Sequence, residues 1–303
     1  MILVLGNSGF LGKAVCKNLT SKGIPYIGTS LSNGCDIRNE EEFARFLENK
    51  AVDKIINCAA FSGGLQFAMA NPVNLFHENM AIISTLYKVA HNHNIKRIVN
   101  PISNCVYPAK ATLFKEDELW DGPLHESVYI YGFTRRAEIA LGWAYRQQYG
   151  MESINIVCSN MYGPEDHFDL LRSHALGASI MKFVEAERVQ CPAVVVWGTG
   201  KPVREWLYVD DAAEALVRGL YIPPYDDIIN LGTGKGISMK ELVETIAKYT
   251  NYTGQIKYDT SKADGANFKT VDGTRGKLLL DYTPQTSLEE GIMKTIAWYK
   301  GHK

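Results

Sequence analysis

Residues 100–138 read NPISNCVYPAKATLFKEDELWDGPLHESVYIYGFTRRAE, and the reading of this stretch decides the fold class. Arg97 to Ser103 is a strand that delivers a hydroxyl at its carboxyl end, and Tyr131 opens a helical pattern that runs to Tyr149. Open parallel sheets bind ligands just beyond the carboxyl ends of their strands, so Ser103 stands where a ligand is expected. On a helix, positions i and i+4 share a face, and Tyr131 and Arg135 can both point at one ligand. A fixed positive charge beside a phenol favours the tyrosinate, so the spacing predicts a lowered Tyr131 pKa, each unit being worth about 1.4 kcal/mol. Such a phenol can pass a proton to a carbonyl oxygen while hydride reaches the carbonyl carbon.

Toward the N-terminus, Ile2 to Leu5 is a short buried strand followed by a GxxGxxG loop, Gly6, Asn7, Ser8, Gly9, Phe10, Leu11 and Gly12, that opens a helix through Lys22. Glycine backbone lets a pyrophosphate sit on a helix N-terminus, where free N–H groups and the dipole favour negative charge. Pro25 to Ser30 is the second strand, whose end selects the dinucleotide. An Asp or Glu there binds the ribose 2′-hydroxyl of NAD, and an Arg suits the 2′-phosphate of NADP. Thr29, Ser30, Leu31 and Ser32 carry neither charge, so the choice stays open at this point. Asp36 and Ile37 are expected beside the adenine, ahead of a charged helix from Glu40 to Lys50. Lys54 to Ala60 is the third strand, and Ala59, Ala60 and Phe61 are expected to pass under the cofactor. A single long helix is predicted from Ala70 to Asn94, with Asn79 at its middle.

Toward the C-terminus, Ile154 to Ser159 is a fifth strand, after which the alternation changes. Ala193 to Trp197 and Arg204 to Val209 read as strands, Asp210 and Asp211 start a helix, and Ile228 to Leu231 returns to the main sheet. Ser238 with Glu241 and Ser287 with Glu290 have the spacing of capping boxes. The pattern predicts an α/β protein: a doubly wound parallel sheet of Rossmann type with a smaller α/β C-terminal substrate domain. The first domain spans 1–164 and is completed by parts of 194–235; the second takes 165–193 and 236–303.

A chain of 303 residues, 46% of them hydrophobic, can bury a sizeable core. The net charge of −1 and the absence of a basic stripe argue against nucleic acid as a partner. No apolar run approaches the roughly 18 residues of a membrane span, and Met1 to Leu5 has no signal-peptide layout, so the expected location is the cytoplasm. Six cysteines lack metal-ligand spacing, which predicts thiols and no metal.

The Ser, Tyr and cation of residues 103–135 resemble the active site of the short-chain dehydrogenases, and nearly the whole chain resembles their extended branch, within it the GDP-L-fucose synthase family. The resemblance rests on the glycine loop, Ser62 to Gly64, Glu78 to Met80, the SxCxYP segment from Ser103 to Pro108, Asn160 to Pro164, Ser173 with His174, and WGTGKPVREWLYVDD at 197–211. It implies that Tyr131 is the proton donor at C4 of a 4-keto sugar and that Ser103 hydrogen-bonds the same carbonyl. Cys105 and His174 fall where the family keeps the base and acid that epimerise C3 and C5, a pair the chemistry requires because inversion removes a proton on one face and returns it on the other. It also implies that Ser159, Asn160, Met161 and His174 join Tyr131 and Arg135 in lining the cofactor, NADP with NAD possible. Lys182, Trp197, Arg204, Asp264 and Lys269 match positions that hold a GDP-linked sugar, and the two long helices match a homodimer interface.

Three departures stand out. Arg135 occupies the place of the usual Lys, Ser8 and Ser32 replace two arginines that favour the NADP phosphate, and Asn104 replaces a Ser. The expected function is an NAD(P)-dependent epimerase/reductase acting on a GDP-linked 4-keto-6-deoxy sugar. The alternatives are an enzyme acting on another GDP-sugar such as a heptose, or a dinucleotide-binding protein without hydride transfer. A dehydratase fits less well, because that branch places Thr, Asp and Glu where Ser103, Asn104 and Cys105 stand.

Overall fold

The computed structural model describes residues 1–169, 172–262 and 264–302. Six parallel strands form the main sheet: β1 (Ile2–Leu5), β2 (Tyr26–Thr29), β3 (Lys54–Asn57), β4 (Arg97–Ser103), β5 (Glu152–Cys158) and, from late in the chain, β9 (Ile228–Leu231). Their spatial order is β2-β1-β3-β4-β5-β9. All four residues of β1 and of β9 are buried, as expected of strands covered on both faces. The order reverses between β1 and β3, and at such a switch point the loops leaving the strands part to make a crevice.

One face of the sheet is covered by α1 (Phe10–Ser21) and α7 (Val209–Gly219), which bury Leu11, Val15 and Leu19 with Ala212 and Leu216 against Val4, Ile56 and Val99. The other carries α2 (Glu40–Leu47), α4 (Pro72–Asn92) and α5 (Tyr129–Tyr149), with Phe43, Ile83 and Leu86 packed on Leu3, Ile55 and Ile98. The helix predicted from Ala70 to Asn94 is α4, which starts at Pro72; a short helix that was not predicted, α3 (Leu65–Ala70), precedes it, the two being separated at Asn71. Proline has no N–H to donate and pushes the residue before it out of the α region, so the chain stops at Ala70 and restarts with Pro72 in the first turn.

The remaining strands build two small sheets. β8 (Val203–Tyr208) pairs with β6 (Asn160–Tyr162), β10 (Gly236–Ser238) and β12 (Phe268–Lys269), while β7 (Ala193–Trp197) pairs with β11 (Gln255–Asp259). Helices α6 (Ala175–Arg188), α8 (Met239–Thr250) and α10 (Leu288–Gly301) close over them around Ile180, Phe183, Ile246 and Ile292. Between 194 and 235, therefore, α7 and β9 join the main sheet, whereas β7 and β8 do not. Ser238 and Glu241 form both halves of a capping box. Ser287 accepts the Glu290 N–H, but the Glu290 carboxylate is drawn to Lys294 at 2.7 Å, so that box is half made. Among the described residues, no helix is long and apolar enough to cross a membrane.

Glu205 ties the small sheet to the large one. It is fully buried in β8, and its carboxylate accepts the backbone N–H groups of Val271 at 2.9 Å and Gly234 at 3.2 Å, together with that of Thr233. Burial nevertheless holds its pKa above the ordinary carboxylate range.

Candidate active site

The loop after β1 is built for close approach. Gly6 takes φ +71°, and its N–H donates to Thr29 O at 2.8 Å, which hangs the loop from the end of β2. A Cβ on Gly12 would lie 2.0 Å from Gly6 O, so only glycine lets the first turn of α1 close on the loop. Gly9 caps α1 without a side-chain bond, leaving first-turn N–H groups for a ligand, and this fits a dinucleotide pyrophosphate. Ser30, Ala59 to Phe61, Ser103 and Ser159 to Met161 all lie at or just beyond the carboxyl ends of main-sheet strands. Two further residues expected to line the cofactor are buried. Ile37 is 6% exposed and packs with Phe43, and Asn79 is fully buried, with its side chain bonded to the Phe61 N–H and carbonyl at 3.2 and 2.8 Å. Asp36 is held by Arg38 at 2.6 Å, and that hydrogen bond lowers its pKa.

Around Tyr131 the structure corrects the electrostatics read from spacing. The Arg135 guanidinium does lie on the phenol, its Cζ 5.3 Å from the ring centroid. Yet burial outweighs that charge, and the Tyr131 pKa is raised, not lowered. The guanidinium is also committed elsewhere: Nη1 donates to Glu138 Oε2 at 2.8 Å, and Nη2 donates to Asn79 Oδ1. Glu138 is fully buried and accepts a further bond from Asn57 Nδ2 at 3.1 Å. Ser62 lies beside the phenol and works to lower its pKa. Ser103 Oγ accepts the Cys105 N–H at 3.2 Å, which starts the tight turn 104–106 and leaves the hydroxyl proton free to donate. A Cβ on Gly132 would meet Cys105 O at 2.4 Å, so glycine beside Tyr131 is what allows this turn to lie against α5.

Cys105 faces the small sheet. Lys269 Nζ lies 3.5 Å from its sulfur, and Lys269 pairs in register with Arg204 across β12 and β8. Arg204 donates to Asp264 O at 3.3 Å, and burial lowers its pKa against the opposing effects of Asp264 and Cys105. The Asp264 carboxylate accepts the Thr199 N–H and hydroxyl, both at 2.7 Å. Lys182 and Trp197 form a separate pair, the ammonium 4.9 Å from the indole, on a cavity of about 450 Å³ between α6 and β7. His174 precedes α6, with Nδ1 3.6 Å from Asp166 Oδ1. The His174 side chain is 46% exposed; partial desolvation works to lower its pKa, but the charge of Asp166 outweighs it and the net shift is upward. The Gly64 N–H donates to Arg172 O at 2.9 Å, joining the Ser62–Gly64 loop beside Tyr131 to the segment that carries His174.

Reading the sequence overlooked three carboxylates: Glu138, Asp166 and Glu205. Glu138 had a signal, since a carboxylate three places after Arg135 shares its helix face. Asp166 and Glu205 had none, because their partners come from the fold.

The model of the NAD dependent epimerase/dehydratase family matches residues 2–232, and the chain belongs to that family. Within it the chain is similar to the GDP-L-fucose synthase of Escherichia coli K12, at 31% identity over 98% of this chain and 96% of that protein. The crystal structure of a GDP-L-fucose synthetase from Naegleria fowleri bound to NADP superposes with a TM-score of 0.89 at 27% identity, covering 99% of this chain and 94% of that one. A GDP-6-OMe-4-keto-L-xylo-heptose reductase from C. jejuni reaches a TM-score of 0.92 over 100% of this chain and 98% of its own, at 24% identity, a likeness of fold alone.

Because Asp166 is what raises the His174 pKa, Asp166→Asn removes that effect. The imidazole should then titrate below its parent value, and any step needing imidazolium should fail at lower pH. Histidine NMR titration measures this, and an unchanged His174 pKa would remove Asp166 from the site.

Proposed function

We propose that the chain is an NADPH-dependent epimerase and reductase of a GDP-linked 4-keto-6-deoxy sugar, of GDP-L-fucose synthase type. The observation that carries this reading is the 3.5 Å approach of Lys269 to Cys105, which sets the cations of β8 and β12 beside Tyr131's turn. Arg204 and Lys269 are then placed for a sugar diphosphate, and Trp197 with Lys182 for the more distant nucleotide. The likeness to the E. coli enzyme supports GDP as that nucleotide, and the NADP-bound relative supports the cofactor.

The keto group at C4 acidifies the hydrogens on C3 and C5. Cys105, with Lys269 beside its sulfur, takes one of these protons, and charge moves onto the carbonyl oxygen. His174, whose pKa Asp166 raises, returns a proton to the opposite face of that carbon. The chemistry supplied by bound NADPH is a hydride for C4. As it arrives, Tyr131 gives its phenolic proton to the C4 oxygen, steadied by Ser103. The raised Tyr131 pKa suits this order, since the phenol keeps its proton until an alkoxide forms. Gly6–Gly12 and the α1 N-terminus would hold the pyrophosphate, with Ala59–Phe61 and Ser159–Met161 beside the rest of the dinucleotide.

Two coarser features belong to the same reading. Val73, Tyr129, Phe133, Trp143 and Tyr149, each at least 45% exposed, lie on α4 and α5, and we place the homodimer interface there. All six cysteines are free thiols, which suits a reducing cytoplasm.

Tyr131→Phe should lower reduction 10²- to 10⁴-fold, roughly 3 to 5 kcal/mol of barrier, while solvent deuterium still enters C3 and C5. Cys105→Ser and His174→Asn should cut that exchange. Exchange at the parent rate in both variants rules the pair out as base and acid. By sedimentation the parent should run as a dimer and Trp143→Glu as a weaker one; a monomeric parent contradicts the interface.

A further inference from the structure

The end of β2, left undecided by composition, carries a built arrangement. Ser8 Oγ lies 2.8 Å from Ser30 Oγ and 2.8 Å from Ser32 Oγ, and the last two are 3.1 Å apart. Ser30 Oγ donates to Asn33 Oδ1 at 2.7 Å, and Asn33 Nδ2 donates to Asn7 Oδ1 at 3.2 Å, back in the glycine loop. Ser30 is 8% exposed and forms the floor, while Ser8, Ser32 and Asn33 are exposed above it. The cluster therefore joins the phosphate-binding loop to the position that reads the adenosine ribose. Among the described residues, the charged side chains nearest to it in sequence are paired with others. Arg38 is bound by Asp36 and Glu78, Lys13 is paired with Glu165, and the Asp36 carboxylate is spent on Arg38.

A carboxylate at this position can only accept a hydrogen bond, and a guanidinium can only donate one. The first favours a ribose 2′-hydroxyl and repels a phosphate; the second does the reverse. A hydroxyl both donates and accepts, so three hydroxyls and a side-chain amide can meet either group. A 2′-phosphate would gain hydrogen bonds charged on its own side only, with no opposite charge to add to them. We propose that Ser8, Ser30, Ser32 and Asn33 are the specificity-determining residues for the cofactor, a neutral reader of the ribose 2′ position that accepts NADH and NADPH with comparable affinity. This rests on the reading that a nicotinamide dinucleotide occupies the glycine loop, and it adds NADH as a second reductant.

The test is fluorescence titration of the full chain with NADH and with NADPH, without sugar. Dissociation constants within about tenfold of each other are expected, the ratio changing little with salt because no protein charge reads the phosphate. Ser32→Arg should then favour NADPH by at least tenfold, and Ser32→Asp should favour NADH by a similar factor. Ser32 is exposed, so folding is preserved in both variants. A hundredfold preference of the parent for either cofactor overturns the neutral reader, as do Ser32 variants that leave the ratio unmoved. Failure to bind either dinucleotide overturns the cofactor reading itself and the reader with it.

Discussion

The buried pair of Arg135 and Glu138 is the constraint on which the site depends. Taking two ions out of water costs several kcal/mol each, recovered only if their remaining hydrogen-bonding capacity is met, and removing one partner of such a pair costs about 3–5 kcal/mol. Here the carboxylate also accepts from Asn57, and the second arm of the guanidinium reaches Asn79. Asn79 in turn clasps the backbone of Phe61, and Ser62, the next residue, lies beside the Tyr131 phenol. Tyr131, Arg135, Asn79, Phe61 and Ser62 thus form a closed circuit between α5, α4 and the loop after β3. A planar fork can hold two partners at fixed angles, whereas an ammonium is a single point of charge, so an arginine at this position suits the circuit. Because Glu138 balances the guanidinium, the charge felt by Tyr131 is reduced, and burial decides the direction of its pKa.

The other half of the site is held by strand pairing. Lys269 and Arg204 stand opposite each other across β12 and β8, and β8 is anchored to the loop after β9 by the Glu205 carboxylate. A buried acid far from the glycine loop therefore sets how the small sheet meets the large one. This is the link by which Cys105, on the turn after β4, acquires a cation 164 positions away in the sequence.

Much of the fold was legible because it follows from local periodicity and punctuation. β4 ends at Ser103 as read, β7 spans Ala193–Trp197, and Ile228–Leu231 does return to the parallel sheet. Pro72 fixes the start of the long helix two residues later than predicted, and the short α3 ahead of it carries too few residues to show a period. Spacing placed Tyr131 and Arg135 on one face, yet it held no information about burial, so the direction of the Tyr131 shift was read wrongly. Asn79 and Ile37 look like cleft residues in a linear pattern and prove buried once the helices pack. Lys269 against Cys105, and Asp166 against His174, depend on loops whose course is set only in three dimensions.

The most direct measurement of this electrostatic balance is the ionisation of the Tyr131 phenol, followed by NMR with tyrosine labelled at Cζ, in the parent chain and in Glu138→Gln. In the parent the phenol should titrate above the ordinary tyrosine value of about 10, and in the variant it should move down, since the guanidinium is no longer balanced. A parent phenol at or below that value, or no downward movement in Glu138→Gln, would contradict the account.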